Sequence, residues 1–333
     1  MTYERSKFNV CNRCKKRWQN YQGSQRKPAD FEAFWQAGFQ EVDDLGTDYH
    51  LEPHPLNSSV AEAFDLTFTG VQGATVHCQL IRPKRLQKKS PLLLQFHGYH
   101  SDAGDWSDKV AMAAEGFWVV ALDVRGQGGL SEDVGLTTKT SLKGHIIRGV
   151  ESGPNDLFYR SVFLDIYQLT RLMVAEPQVD TSQLYTYGAS QGGALALICA
   201  AVAPEIKESF VCYPFLSDYR EAYRLDVENS AYEELAYWFR FKDPLHQREE
   251  AFFETLDYID LQYFAPWIKG KVHWAIGLAD TVCPPKTQFA VYNQLSSAAD
   301  KEMLFYPEYG HEYLPKFGDH MRQCLADVLR EKE

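Results

Sequence analysis

"LYTYGASQGGALALICAA" (184–201) sets a serine among glycines where an aromatic, strand-like run gives way to an alanine-rich one. Ser190 has Gly188 two residues before it and Gly192 two residues after, with Gly193 behind them. Glycine costs backbone entropy wherever it sits, so this density marks a turn that other residues cannot make. Either the turn is purely structural, or it lifts the Ser190 hydroxyl above the end of a sheet, as G-x-S-x-G does between a strand and a helix. The surrounding sequence favours the second reading.

Short apolar strands recur around it with helical stretches between them: "PLLLQFHGY" (91–99), "FWVVALDVRG" (117–126), "QLYTYGAS" (183–190), "ESFVCYPFL" (208–216), "KVHWAIGLAD" (271–280) and "KEMLFYPEYGH" (301–311). Strand and helix in alternation predict a mainly parallel sheet covered on both faces, with ligands bound beyond the carboxyl ends of its strands. The fold class is α/β, of the α/β-hydrolase type, in a single domain spanning 1–333. Residues 1–50 read as an N-terminal helical extension, with "ADFEAFWQAGFQEV" (29–42) helical behind an Asp30 N-cap. "AFDLTFTG" and "ATVHCQLIRPK" alternate about "VQG" as an antiparallel hairpin. Two connections are too long to be ordinary: 127–156, expected to be an insert that packs on a neighbouring subunit, and 217–265, expected to form a helical cap.

The bulk properties exclude several classes. The chain has 333 residues, 45% of them hydrophobic and 24% charged, which suits a sizeable core and argues against disorder. A net charge of −11 argues against nucleic acid or an anionic membrane as partner. Seven cysteines (11, 14, 78, 199, 212, 283 and 324) form an odd, scattered set rather than a disulfide framework. "CNRC" (11–14) has the spacing of half a zinc site, but no second close pair answers it. The N-terminus lacks a signal-peptide core and no apolar run is of transmembrane length, so a reduced, soluble, cytoplasmic protein is expected. There is no H-E-x-x-H, and "RGQGGL" is not a dinucleotide fingerprint, so neither a metal nor a cofactor is expected.

A serine hydroxyl needs a base, and the base needs an acid to orient it; in this fold class the chain order is Ser, acid, His. His311, in "YPEYGHEY", follows the last strand through a glycine and is the expected base. His320, in "FGDHMRQCL", reads as a solvated helix residue. Asp280, closing "HWAIGLAD" before a proline-braced loop, is favoured as the acid over Asp218 in "PFLSDY". The oxyanion would rest on the backbone N–H groups of Gln191, at the helix start, and Tyr99, where Gly98 lets the backbone approach the substrate. His97 reads as a brace for that loop, and Arg125 as an ion-pair former.

With these residues in place the chain resembles carbohydrate esterase family seven, the acetyl xylan esterases and cephalosporin C deacetylases. The resemblance runs from "DFEAFW" (30–35) to "YGHEYLP" (309–315) through "HGY" (97–99), "RGQGG…SED" (125–133), "GASQGG" (188–193), "GLADTVCPP" (277–285) and "GHE" (310–312). It implies Ser190 as nucleophile, Asp280 as acid, settled over Asp218, and His311 as base. It also implies oxyanion donors at Tyr99 and Gln191, an intracellular metal-free enzyme acting on small acetyl esters, and a homohexamer built as a trimer of dimers. A tight acyl pocket lined by Tyr99, Tyr213 and Pro214 beside Gly98 would select acetate. Lys286 departs from the family pattern and would alter charge near the acid loop. The rival readings are a serine peptidase of the prolyl-oligopeptidase type, for which the N-terminal ninety residues are too short to form a propeller, and a catalytically idle hydrolase-fold binding protein.

Overall fold

The computed structural model describes residues 16–85, 89–135, 144–227, 229–296 and 300–330, with side chains described as far as 326. The Cys11/Cys14 pair lies outside these residues. Nine strands form one sheet in the order β1-β2-β3-β5-β4-β6-β7-β8-β9. β1 (His50–His54), β2 (Ala61–Thr69) and β3 (Thr75–Pro83) run antiparallel to their neighbours, and β3 pairs antiparallel with β5 (Trp118–Leu122). From β5 through β4 (Ser90–Phe96), β6 (Val179–Ala189), β7 (Ile206–Cys212), β8 (Lys271–Gly277) and β9 (Lys301–Tyr306) every pairing is parallel. The strand-helix alternation is therefore observed, and the hairpin forms about "VQG". β1 is an addition. Its sequence HLEPH is polar, contains a proline and stands at the sheet edge, where a missing N–H is tolerated.

The helices are α1 (Phe31–Asp43), α2 (Ser107–Ala114), α3 (Phe158–Ala175), α4 (Gln191–Val202), α5 (Tyr219–Leu225), α6 (Glu233–Lys242), α7 (Glu249–Leu256), α8 (Leu261–Phe264), α9 (Pro285–Tyr292) and α10 (Phe317–Arg330). α4 is buried at every residue, which its run of small and apolar side chains permits. No helix among the described residues is long and apolar enough to cross a membrane. Residues 217–265 hold α5 to α8.

The N-terminal helix is part of the core rather than an appendage. Phe31 and Trp35 are fully buried, their rings 5.0 and 5.1 Å from Phe264, and Phe39 stacks on Tyr167 of α3 at 4.5 Å. Each such aromatic contributes about 2–3 kcal/mol through burial. Phe34 sits farther out, against Tyr258 at 4.6 Å. Asp30 does not cap α1 with its side chain; that carboxylate accepts instead from Tyr258 Oη at 2.6 Å.

Arg125 holds the loop after β5 to α3. Its guanidinium donates to both oxygens of Asp165 at 2.6 Å, and both side chains are buried. Removing one partner leaves the other charge uncompensated in the interior. Arg125→Met should lower the unfolding free energy by about 3–5 kcal/mol in urea denaturation; an unchanged midpoint would show the pair to be dispensable.

Candidate active site

Ser190 occupies the turn between β6 and α4 with φ 57° and ψ −122°, a conformation that costs a non-glycine residue about 1–3 kcal/mol. The strain persists because neighbouring backbone pins the turn. Ser190 N–H donates to Cys212 O at 3.0 Å, and Phe215 N–H donates to Ser190 O at 3.1 Å. A Cβ on Gly188 would stand 2.1 Å from Gly192 O, and one on Gly192 would stand 2.0 Å from Phe96 O. Strand, turn and helix thus touch through bare backbone, which answers why glycine flanks the serine.

The loop after β8 carries Asp280, whose side chain is fully buried. Its Oδ1 accepts from Val282 N–H and Cys283 N–H, both at 2.8 Å, and its Oδ2 faces His311 Nδ1 at 2.9 Å. Two backbone donors therefore orient the carboxylate that holds the imidazole. The Tyr213 ring packs against His311, with centroids 4.4 Å apart. Ser190 Oγ is 3.9 Å from Cys283 Sγ, and the described hydrogen bonds do not include one from it to His311. Such contacts are often long in free enzymes and tighten around substrate. Burial pushes the Cys283 thiol well up, so it stays protonated and is a poor competing nucleophile.

Ser190 and His311 wall one cavity of about 530 Å³ together with Gly98, Tyr99, His100, Asn229, Ser230, Ala231, Glu233 and Val282. Gly98 and Tyr99 thus line the space at Ser190. Tyr213 and Pro214, expected in an acyl pocket, do not line it. Tyr213 is turned against the imidazole, and Pro214 backs the start of α4, its Cα 3.3 Å from where a Cβ on Gly193 would lie. Gln191 is the first residue of α4, where helix N–H groups have no intrahelical acceptor. No backbone carbonyl among the described residues receives the N–H of Tyr99.

The Asp218 carboxylate is engaged elsewhere, accepting from Tyr21 Oη at 2.5 Å. His97 braces the loop, accepting from Val124 N–H at 2.9 Å and donating to Gly98 O at 2.7 Å, and burial holds its pKa down in keeping with the neutral ring this requires. Lys286 is neutralised by Glu221 at 2.7 Å, so its charge is spent away from Asp280.

Two positioning groups were not anticipated. Gln127 pairs its amide with that of Gln191 (2.8 and 3.1 Å) and accepts from His100 N–H at 2.9 Å, tying the Gly98–Tyr99 loop to the serine turn. Glu234, on the cap helix α6, accepts from Tyr99 Oη at 2.7 Å and from Ile146 N–H at 2.7 Å, while Tyr99 Oη accepts from His145 N–H at 2.6 Å. The described part of the 127–156 insert therefore folds onto its own chain, with Ile146 and Val150 buried. The signal for Gln127 was its place beside "RG"; for Glu234 there was none.

A strained serine at the head of a helix, with a carboxylate-anchored histidine in the same cavity, defines a hydrolase of the α/β-hydrolase class. The chain belongs to the acetyl xylan esterase (AXE1) family, whose model matches residues 14–327. It is 42% identical to acetyl xylan esterase 1 from Thermoanaerobacterium sp. JW/SL YS485, with a TM-score of 0.90 over 94% of this chain and 98% of that one. It is also similar to an acetyl xylan esterase from Paenibacillus sp. R4, at 31% identity and a TM-score of 0.88, covering 94% and 98% of the two chains. The acetyl esterase Axe7A of Xylanibacter ruminicola is 26% identical over 85% of this chain; the match spans 63% of that relative's length.

Burial pushes the Glu234 carboxyl up to about 7, against the opposing hydrogen bonds from Tyr99, Ile147, Ile146 and His145. A carboxyl raised on folding contributes stability that is full below its unfolded value, near 4.5, and is lost as pH climbs through about 7. Glu234→Gln should flatten this fall, worth about 3 kcal/mol across the window. Parallel urea denaturation curves for wild type and variant from pH 5 to pH 8 would check it; an identical pH dependence would rule out the raised carboxyl.

Proposed function

We propose that this protein is a serine carboxylesterase that removes acetyl groups from small acetylated substrates, acetylated xylo-oligosaccharides and cephalosporin C among them. The observation that carries the reading is the single cavity walled by strained Ser190, by His311 held on Asp280, and by the Gly98–Tyr99 loop. Family membership supplies the acetyl xylan class of substrate. The rim groups His100, Asn229, Ser230 and Glu233 are polar, which suits a hydroxylated sugar better than a lipid chain.

In this mechanism Ser190 Oγ attacks the acetyl carbonyl carbon and its proton passes to His311 Nε2. Asp280 keeps the Nδ1 proton in place and stabilises the imidazolium that forms. The N–H groups of Gln191 and Tyr99 receive the oxyanion; collapse expels the sugar oxygen, which His311 protonates. Water, deprotonated by His311, then attacks the acetyl-enzyme; the bond to Ser190 Oγ breaks, His311 returns the proton to that oxygen, and acetate leaves.

A cytoplasmic homo-oligomer, a hexamer in the arrangement of a trimer of dimers, belongs to the same proposal. Exposed Leu130 and Val134 on the insert, and Tyr313 beside the His311 loop, are apolar surface that a second copy would cover. The thiols of Cys78, Cys199, Cys212 and Cys283 buried in the core suit a reducing compartment.

Acetate release from acetylated xylo-oligosaccharides and from cephalosporin C should be readily measured for wild type. Ser190→Ala should lower kcat by at least about 10⁴-fold. Activity that survives the substitution, or cleavage of aminoacyl amides without turnover of acetate esters, would overturn the assignment.

The acyl side is expected to be short because Glu234 and the insert hold Tyr99 in place. Wild type should therefore turn over p-nitrophenyl acetate much faster than the octanoate. Equal kcat/KM for the two would refute a closed acyl site.

A further inference from the structure

We propose that His273, Glu302, His320 and Cys324 form a zinc site, at the end of the sheet opposite the Ser190 cavity, that fastens the C-terminal helix to the last strands. His273 lies on β8 in register with Phe210 on β7 and Glu302 on β9. Gly277 lies four positions further along the strand, so His273 stands about 13 Å back from the strand end that leads to Asp280. His320 and Cys324 are one turn apart on α10, which places both on the helix face turned to the sheet, alongside Met321 and Leu325 of the same core cluster.

The donor atoms converge. His273 Nδ1 is 2.9 Å from His320 Nε2 and also meets Glu302 Oε1; His320 Nε2 is 3.1 Å from Glu302 Oε1 and 3.9 Å from Cys324 Sγ. One donor atom from each of His273, His320 and Cys324 lies within 4.8 Å of the other two, and Glu302 joins them through its contacts with the two imidazoles. Ligands about 2.0–2.3 Å from a tetrahedral zinc stand roughly 3.3–3.8 Å apart, so small side-chain rotations would suffice to seat the ion.

The surroundings fix which lone pair is offered. The His273 ring is fully buried, with Phe210 stacked on it at 4.4 Å and 12°. Its Nε2 faces Glu208 Oε2 at 2.7 Å, so a proton donated there leaves Nδ1 as a bare lone pair pointing into the cluster. A carboxylate behind a ligating imidazole is the usual outer partner of a zinc histidine. In that tautomer Nδ1 and the Glu302 carboxylate face each other as two acceptors, which a cation between them relieves. Lys271 Nζ, 3.8 Å from Glu302 Oε1 and 3.9 Å from Asp300 Oδ2, holds Glu302 from the outer side.

His77 provides the contrast. It also lies between two carboxylates, Asp123 at 2.7 Å and Asp65 at 2.9 Å, one oxygen to each nitrogen as at His273, but the second imidazole there, His54, bonds the far oxygen of Asp65 at 2.9 Å instead of meeting a His77 nitrogen. A proton on each nitrogen satisfies that arrangement. At His273 a second imidazole and a carboxylate meet the same nitrogen, with a thiol against that second imidazole, and this donor set is borderline-soft, as zinc prefers. Two neutral imidazoles, one thiolate and one carboxylate would cancel the charge of Zn²⁺, the thiol proton passing to solvent as the ion binds.

The test uses tag-free full-length protein, stripped with chelator and titrated with zinc chloride against a chromophoric chelator. One equivalent should bind, the melting temperature should rise with free zinc, and cobalt(II) should give thiolate-to-metal charge-transfer absorption. His320→Gln and Cys324→Ser, at half-buried positions where the fold should survive, should each weaken zinc by at least about 100-fold, and Glu208→Gln by about tenfold. Cys11→Ser/Cys14→Ser should bind as wild type does, and acetate-ester hydrolysis below the melting temperature should be the same with and without zinc. The site is overturned if no equivalent binds, or if an equivalent persists in the His320→Gln/Cys324→Ser double variant while circular dichroism shows both proteins folded.

Discussion

Backbone-to-backbone contact at the head of α4 is the constraint on which the site depends. β6 must end, turn through Ser190 and re-enter as a helix while Gly192 lies beneath the carbonyl end of β4. Side chains on Gly188 or Gly192 would separate these elements and withdraw the serine from the strand ends. The strained φ of Ser190 is therefore a property of the sheet as well as of the turn. Hydrogen bonds to Cys212 and Phe215 hold it from the β7 side, and the burial of the whole of α4 holds it from below.

The remaining groups are brought to this point by loops at the same edge. Asp280 is oriented by the N–H groups of Val282 and Cys283, a local arrangement just ahead of Pro284 and of Pro285, which begins α9. His311 is then held through one nitrogen by Asp280 and across one face by Tyr213. The other wall is built at long range. Gln127 joins the Gly98–Tyr99 loop to Gln191, and Glu234 joins that loop to the cap and the insert.

This difference explains what was legible in the sequence. The serine turn, the strand ends bearing Asp280 and His311, and the alternation of strand and helix depend on neighbours a few residues apart, so pattern reveals them. Glu234 acts on Tyr99 across 135 residues, and nothing in "AYEELAYWFRF" distinguishes it from a solvated helix glutamate. His320 was misread as solvated for the same reason: its partner His273 is 47 residues away on a strand that reads as ordinary core. β1 was missed because its pattern is polar and interrupted by Pro53. Asp30 stands at the N-cap position as read, but its side chain does not cap, because a tyrosine 228 residues on competes for its carboxylate. Tyr213 was placed in the substrate space although its ring serves the imidazole instead.

The Glu234 carboxylate has a consequence for altering this scaffold. It is contributed by the cap, yet it receives the hydroxyl of the residue that shapes the opposite wall and the peptide groups of the insert. Cap, insert and Gly98–Tyr99 loop thus share one acidic side chain as a common anchor. A cap transplanted from a relative to change sugar preference would carry its own anchor or none, and the loop across the cavity would slacken even though no residue in it had been touched.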